Sequence, residues 1–152
     1  MFNRQPTTST TMVASDPGLD EFAASVVQAA LGQIESVGHL VPFVLIDRGG
    51  PPTAHPLTGQ SVQGPELASL LEVTRSGLRS LGREVNRYAL VWPGKVVDGG
   101  PVDAVFIECA AQGQPTARVI AVCHWRDPDD GELTTDMELR SLGTAPIRPN
   151  WS

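Results

Sequence analysis

The fold is decided by three stretches, RYALVWPGKVV (87–97), VDAVFIECAA (102–111) and ARVIAVCHWR (117–126). Each is rich in β-branched and other apolar residues, and turns that contain glycine and proline separate them. Such runs predict an antiparallel meander of three strands. The last two runs are apolar at consecutive positions, so we expect both faces of the sheet to be covered there.

Two helical patterns lie upstream of this meander. A helix is predicted over 16–37, because Asp16-Pro17 suits a helix start, apolar residues recur at spacings of three and four, and Gly38 suits its end. A second helix is predicted over 64–81 by the same periodicity. Gly77 inside it costs about 1 kcal/mol relative to alanine, which indicates close packing on a sheet at that position.

The remaining elements upstream are strands. LVPFVLI (40–46) is too short for a helix and predicts a buried strand, and 53–57 predicts a short return strand. The element order is α-β-(β)-α-β-β-β, which indicates an α+β fold with two helices packed on one face of an antiparallel sheet of about four to five strands. Roadblock and profilin-like scaffolds share this order, an analogy of topology that carries no function.

The meander also contains a short composite pattern. It consists of Arg87-Tyr88-Ala89-Leu90, then Gly94-x-Val96, then Asp103-Ala104-Val105-x-x-Glu108, with LVPFVLI upstream. The pattern resembles one in small uncharacterised bacterial α+β proteins. The resemblance implies the same fold class and no particular activity.

The amino-acid composition changes along the chain and predicts three regions. Residues 1–15 lack apolar periodicity and are rich in serine and threonine, so we expect a flexible tail. Residues 16–126 form a single α+β domain in this interpretation. Residues 127–152 form an acidic, proline-containing segment, for which we expect mostly loop or tail and one short strand near Leu133 or 137–139.

Charge and hydropathy exclude several classes of partner. The 17 acids and 11 bases give a net charge of −6, which disfavours nucleic acid as a partner. No apolar run approaches the roughly 18–20 residues of a membrane span, and the N-terminal sequence lacks the apolar core of a secretory signal. Two cysteines are too few for a disulfide scaffold. We therefore expect a cytoplasmic protein without a membrane partner.

One candidate for acid–base chemistry is the pair of Asp103 and His124. If the last two strands of the meander pair around Gly113-Gln114, Asp103 lies opposite His124. A carboxylate beside an imidazole orients it and raises its basicity, which suits a general base. The alternative interpretation is a cross-strand ionic pair at the end of the sheet.

A second candidate is Glu108, a carboxylate in the apolar sequence FIECA. A buried Glu108 could act as an acid or a base, and a structural Glu108 would pair with an arginine such as Arg118. In the predicted register Glu108 faces Val119 and lies near Val91. Asp103 and Glu108 are an odd number of residues apart and therefore point to opposite faces, which disfavours a shared metal.

The pattern predicts neither a metal site nor a cofactor. Cys109 and Cys123 point to opposite faces of neighbouring strands, so we expect buried thiols rather than a disulfide. Neither cysteine has the spacing of a zinc site. The acids from Asp127 onward resemble a calcium loop at some positions, but Glu132 stands where that loop needs glycine.

Three sets of residues are candidates for binding. Four arginines lie at four-residue spacing, three of them predicted on the second helix and Arg87 just beyond it. They suit a phosphate or an acidic partner, or else a solvated helix face on which Glu72 pairs with Arg75. The first acids of the C-terminal segment suit a basic partner. Aromatic side chains favour interfaces. The candidate residues are Arg75, Arg79, Arg83, Arg87, Asp127, Asp129, Asp130, Trp92 and Trp125, with Trp151 as a further exposed aromatic.

These observations favour a small non-enzymatic protein that binds a protein partner or associates with itself, for example as a homodimer through the sheet edge or the helices. An enzyme or small-ligand protein that uses Asp103, Glu108 and His124, with Tyr88 or Arg118 nearby, is the alternative. A second alternative is an immunity or antitoxin-like protein that neutralises a basic partner with the acids of 127–138.

Overall fold

The described part of the chain folds into two helices and seven strands. The structure is a computed structural model. It describes residues 17–60, 62–97, 100–112, 116–135 and 140–146. The strands are β1 (Phe43–Asp47), β2 (Thr53–Pro56), β3 (Arg87–Val97), β4 (Pro101–Ala111), β5 (Thr116–Arg126), β6 (Leu133–Thr135) and β7 (Arg140–Pro146). The predicted α+β class is confirmed, and the number of strands is higher than predicted.

The helices lie where their sequence patterns predict them. Helix α1 spans Pro17–Val37 and helix α2 spans Gly64–Leu81. A glycine closes each helix, because the amides of Gly38 and Gly82 donate to carbonyls in the preceding turn. Asp16, the predicted N-terminal cap of α1, lies outside the described residues.

The sheet is antiparallel, with strand order β2-β1-β3-β4-β5, and both β6 and β7 pair with the outer edge of β5. The predicted meander forms β3, β4 and β5 with bounds within one residue. Its predicted register is also confirmed, since Val105 lies opposite Val122 and Ile107 opposite Ile120. Pairing of β3 with β4 continues through Pro93 and Gly94 without a break.

The sheet extends beyond the meander in a segment for which we expected mostly loop or tail. Strand β6 starts at Leu133, where a short strand was predicted. Strand β7 pairs with the first half of β5 and was not predicted. The alternative position for a strand, 137–139, lies outside the described residues.

The two helices lie on opposite faces of the sheet, so the prediction that both pack on one face is wrong. Ala89 and Val91 of β3 belong to the core against α1, whereas Tyr88 and Leu90 belong to the core against α2. Successive side chains of a strand point to opposite faces. Strands that are apolar at consecutive positions therefore need a cover on both faces, and each helix supplies one.

Helix α1 covers the larger core and is fastened to β5 at both ends. Arg118 of β5 contacts Asp20 at 2.7 Å, and Arg126 contacts Glu35 at 3.4 Å. Between these ion pairs, Val26 and Ala30 are fully buried. Because the ion pairs are exposed, we attribute most of the stability of this layer to the apolar contacts.

Helix α2 covers the other face with a narrower apolar strip. Leu71 and Leu78 are its buried residues. Gly77 is exposed, and a Cβ atom built on it would meet nothing within 4 Å. The prediction that Gly77 packs closely on the sheet is therefore wrong.

Candidate functional site

Glu108 is a buried carboxylate between α2 and the sheet, with 5 % of its surface exposed. Arg75 reaches it from α2: its Nε donates to Oε1 at 3.1 Å and to Oε2 at 3.3 Å, and its Nη2 lies 2.9 Å from Oε1. The hydroxyl of Tyr88 donates to Oε2 at 3.1 Å. Both carboxylate oxygens therefore accept hydrogen bonds from the protein, as a buried charge requires.

The surroundings of the two donors, Arg75 and Tyr88, raise the pKa of each. Burial lowers the pKa of the Arg75 guanidinium, but hydrogen bonds and charge attraction from Glu108 and Glu72 outweigh burial and raise it above its ordinary value. Burial and the charge of Glu108 raise the pKa of the Tyr88 phenol. Both donors keep their protons at neutral pH, so their hydrogen bonds to Glu108 hold α2 on the sheet.

Glu108 takes a partner that differs from the one the sequence suggested. Arg118, the suggested partner, points to the α1 face and contacts Asp20. Glu108 lies opposite Val119, as predicted, and its neighbour on β3 is Leu90 rather than Val91.

The four candidate arginines are distributed among different contacts. Arg75 also contacts Glu72 at 2.7 Å, as predicted. Arg87 contacts the buried Asp47 of β1 at 3.0 Å. Arg79 donates to the Ser76 hydroxyl, and Arg83 is exposed in a 3-10 turn after α2. Two of the four thus belong to ion pairs that join elements of the fold.

Asp103 and His124 lie at one end of the α1 face, away from Glu108. Lys95 lies opposite Asp103 and contacts it at 2.6 Å. Burial lowers the pKa of the His124 imidazole, and the opposing effect of Asp103 does not compensate. His124 is therefore a weaker base than the sequence argument requires, and the three acid–base candidates do not converge on one site.

The thiols and acids form no metal centre in the described part of the chain. Cys109 and Cys123 are buried and form no disulfide, and burial raises the pKa of the Cys109 thiol to about 11. Among the described residues, no group of three histidine, cysteine, aspartate or glutamate side chains is placed to hold a metal ion.

The first part of the acidic segment is an ordered turn. The Asp127 carboxylate accepts a hydrogen bond from the Asp129 amide at 2.8 Å, and the Asp130 carboxylate accepts one from the Glu132 amide at 2.9 Å. These bonds are local, so they explain why acids occupy the turn without invoking a partner. Asp136 and Glu138, the other acids of the segment, lie outside the described residues.

Three aromatic side chains lie on the α2 side of the sheet, the stacked pair Trp92 and Phe106 and, four residues along β5 from the position opposite Phe106, Trp125. Trp92 of β3 stacks on Phe106 of β4, with ring centroids 6.0 Å apart and planes 10° from parallel. Both are half-buried, and Trp125 of β5 is 44 % exposed. We name this surface the aromatic face and define it by its members, which alternate on that side of β3, β4 and β5: Trp92, Val96, Val102, Phe106 and Trp125.

Phe106 is the aromatic member of this face that sequence reasoning missed. Its signal was available, because pairing β3 with β4 around the turn at 98–100 places Phe106 opposite Trp92. The Phe106 ring also covers Gly94, where an added Cβ would lie 2.5 Å from Cε2 of the ring. Gly94 thus allows the ring to lie flat across the sheet.

Replacing Gly94 with alanine is expected to lower the free energy of unfolding by about 1–2 kcal/mol. The methyl group would push the Phe106 ring away from Trp92, so the tryptophan fluorescence should shift to longer wavelength. Urea unfolding followed by fluorescence measures both effects. Gly59→Ala is the matched control, because a Cβ there would meet nothing within 4 Å. Equal effects of the two substitutions would contradict the close contact.

Comparison with known proteins gives no relative from which a site can be transferred. No family model, curated protein or solved structure matches the chain. The roadblock and profilin-like analogy therefore remains a prediction. Among the described helices, none is both long enough and apolar enough to cross a bilayer.

Proposed function

We propose that this chain is a small non-enzymatic cytoplasmic protein that binds a protein partner through its aromatic face. One observation carries the proposal: Trp92, Phe106 and Trp125 occupy one side of three adjacent strands, and all three keep exposed surface. The two buried cysteines, Cys109 and Cys123, are not joined in a disulfide, which suits a reducing compartment.

The composition of the aromatic face supports a protein partner. Tryptophan and phenylalanine are enriched in the cores of protein interfaces, and tryptophan is frequent among residues that dominate binding energy. Val96 and Val102 lie directly opposite each other on the same side of β3 and β4 and carry no charge. Helix α2 covers one part of this side of the sheet, and the aromatic face occupies the other part. A partner that presents apolar side chains would cover the aromatic face in the same way.

The contacts of the polar candidates favour this proposal over an enzyme. The oxygens of Glu108 are bonded to Arg75 and Tyr88, and Asp103 is paired with Lys95. A catalytic pair needs groups that share one site with substrate. Glu108 lies on the opposite face of the sheet from Asp103 and His124, so these groups support no common reaction centre.

Affinity capture with matched variants tests the proposal. The tagged protein, Trp125→Ala and the control Val37→Ala, which alters an exposed apolar residue on α1, are each used to capture partners from cell lysate. We expect a stoichiometric protein partner with the wild type and the control. Affinity for the purified partner should fall about 30-fold in Trp125→Ala, as expected for an interface tryptophan worth about 2 kcal/mol.

The same experiment distinguishes the other candidate surfaces. Loss of the partner in the double variant Asp129→Asn/Asp130→Asn, with Trp125→Ala unaffected, would move the contact to the acidic turn and contradict the proposal. Failure of the wild type to capture any stoichiometric partner would also count against it. Circular dichroism of each variant confirms that loss of binding is not loss of fold.

A further inference from the structure

The hairpin that joins β5 to β6 extends the sheet beyond Trp125. The amide of Asp127 donates to the Glu132 carbonyl at 2.9 Å, and the amide of Gly131 donates to the Asp127 carbonyl at 2.8 Å. These two bonds close a short hairpin loop that ends at Gly131, where φ is 72°. Asp127 and Glu132 therefore lie opposite each other and follow the last pair of the β5–β6 ladder.

Alternation along the two strands places both of these carboxylates on the side of the aromatic face. Side chains two residues apart on a strand lie on the same side of the sheet. Asp127 therefore shares a side with Trp125, and Glu132 shares it with Thr134, which lies opposite Trp125. Arg126, the base between Trp125 and Asp127, points to the other side and contacts α1.

Negative charge at this end of the aromatic face has no nearby compensation on its own strands. Residues 127–135, all of them described, include four acids and no lysine or arginine. Glu132 is exposed, and the loop uses its backbone but not its carboxylate. That carboxylate makes no hydrogen bond or ion pair within the part of the chain that the structure describes.

The aromatic face and the two carboxylates form one continuous strip along β5. Ala121 lies opposite Phe106, Trp125 is four residues further along β5, and Asp127 is six residues further. At a rise of about 3.3 Å per residue, Asp127 lies about 20 Å from the level of the stacked rings and about 7 Å beyond Trp125. A segment that covers the rings can therefore reach the carboxylates with one end.

We propose that the aromatic face binds an amphipathic segment of a protein partner that carries lysine or arginine at one end. Its apolar side chains cover the rings of Trp92, Phe106 and Trp125. Its basic end pairs with Asp127 and Glu132, at the end of the strip where the uncompensated charge lies.

Charge complementarity favours this occupant over a second copy of the chain and over an uncharged partner. A second copy carries the same net charge of −6, and its aromatic face has no base among its five members. An uncharged partner would remove water from Asp127 and Glu132 without replacing it by an opposite charge, which costs free energy.

This inference rests on the proposed function, because it names the chemistry of the partner that the aromatic face binds. The two proposals depend on different side chains. Binding through the aromatic face requires Trp125, whereas the choice of a basic partner requires Asp127 and Glu132. Substitutions of the two kinds therefore distinguish failure of one proposal from failure of the other.

Two synthetic peptides serve as probes. A helix of about 14 residues spans the strip at 1.5 Å per residue, so both peptides have this length and the same leucine spacing. One ends in lysines and the other in glutamates. Fluorescence anisotropy of the labelled peptides measures their Kd for the wild type and for three variants, which are Asp127→Asn/Glu132→Gln, Trp125→Ala and the control Glu21→Gln/Glu84→Gln.

The control variant removes the same amount of charge at positions away from the strip. Glu21 is exposed on α1, which packs on the opposite face of the sheet, and Glu84 is exposed in the 3-10 turn after α2. A general effect of net charge would appear equally in both double variants. An effect of position appears only in Asp127→Asn/Glu132→Gln.

We expect the wild type to bind the lysine peptide at least about tenfold more tightly than the glutamate peptide. Asp127→Asn/Glu132→Gln should raise the Kd for the lysine peptide about tenfold, which corresponds to about 1.4 kcal/mol. The control should change this Kd by less than about twofold, which corresponds to about 0.4 kcal/mol. Trp125→Ala should weaken the binding of both peptides, because both depend on the apolar contact.

Four results would overturn this inference. They are a wild type that binds neither peptide, equal affinity for the two peptides, no effect of Asp127→Asn/Glu132→Gln, and an equal effect of the control variant. If Trp125→Ala still weakens binding in any of the last three cases, the aromatic face remains a binding surface. Loss of binding in the acid variant with Trp125→Ala unaffected would contradict both proposals.

Discussion

Replacing Glu108 with glutamine is expected to lower the free energy of unfolding by about 3 kcal/mol. The amide keeps the shape of the side chain, but the half-buried Arg75 guanidinium then loses the buried charge that compensates its desolvation. Tyr88 also loses a charged acceptor for its hydroxyl. Removing one partner of a buried ion pair costs more than the pair contributes, because the remaining charge stays buried without compensation.

The matched control for this variant is Glu72→Gln. Glu72 contacts the same guanidinium at 2.7 Å, but its side chain is 67 % exposed. We expect the control to lower the free energy of unfolding by less than about 1 kcal/mol. Urea denaturation of both variants measures the two values. Equal values would mean that burial of Glu108 does not determine the strength of the clamp.

Replacing Ile107 with alanine is expected to lower the free energy of unfolding by about 3–4 kcal/mol. Ile107 is fully buried, and its side chain belongs to the core against α1. Leu90→Ala, at a fully buried position on the opposite face, should cost a similar amount. Since the helices lie on opposite faces, the two substitutions should loosen different helices.

Hydrogen exchange followed by mass spectrometry distinguishes these effects. Ile107→Ala should accelerate amide exchange in α1 more than in α2, and Leu90→Ala should do the reverse. Equal acceleration of both helices by both variants would show that the two cores open as one unit. That result would contradict the division of the fold into two separately covered faces.

The local elements of this fold can be predicted well from the sequence. Strands β3, β4 and β5 have strong boundary signals, because glycine and proline mark the turns between continuous apolar runs. The helix bounds are equally local, since glycine ends both α1 and α2. Register follows from the turn position, which explains why Glu108 was correctly predicted to lie opposite Val119.

The arrangement of these elements was harder to predict because it depends on distant contacts. Apolar residues at consecutive positions of a strand indicate that both faces of the sheet are buried. They do not indicate which helix packs on which face. Strand β7, RSLGTAP, has little apolar alternation. Its backbone completes the hydrogen bonding of β5, and that requirement leaves no mark in the side-chain pattern.

At the candidate site, too, individual residues could be predicted from the local sequence, whereas contacts between distant residues could not. Glu108 and Arg75 were each singled out, yet they are 33 residues apart and their contact depends on how α2 crosses β4. Arg118 was the nearer choice in sequence and points to the other face. The aromatic face, in contrast, follows from strand register alone, so Phe106 was within reach of sequence reasoning.

The two buried cysteines give each side of the sheet its own chemical reporter. Cys109 lies in the core beneath α1, and Cys123 lies on the opposite side of the neighbouring strand. Both are inaccessible to a maleimide or an aromatic disulfide while the protein is folded. A copy that keeps one cysteine therefore reacts only when its own side opens, so modification rates of single-cysteine copies report the opening of the two layers separately.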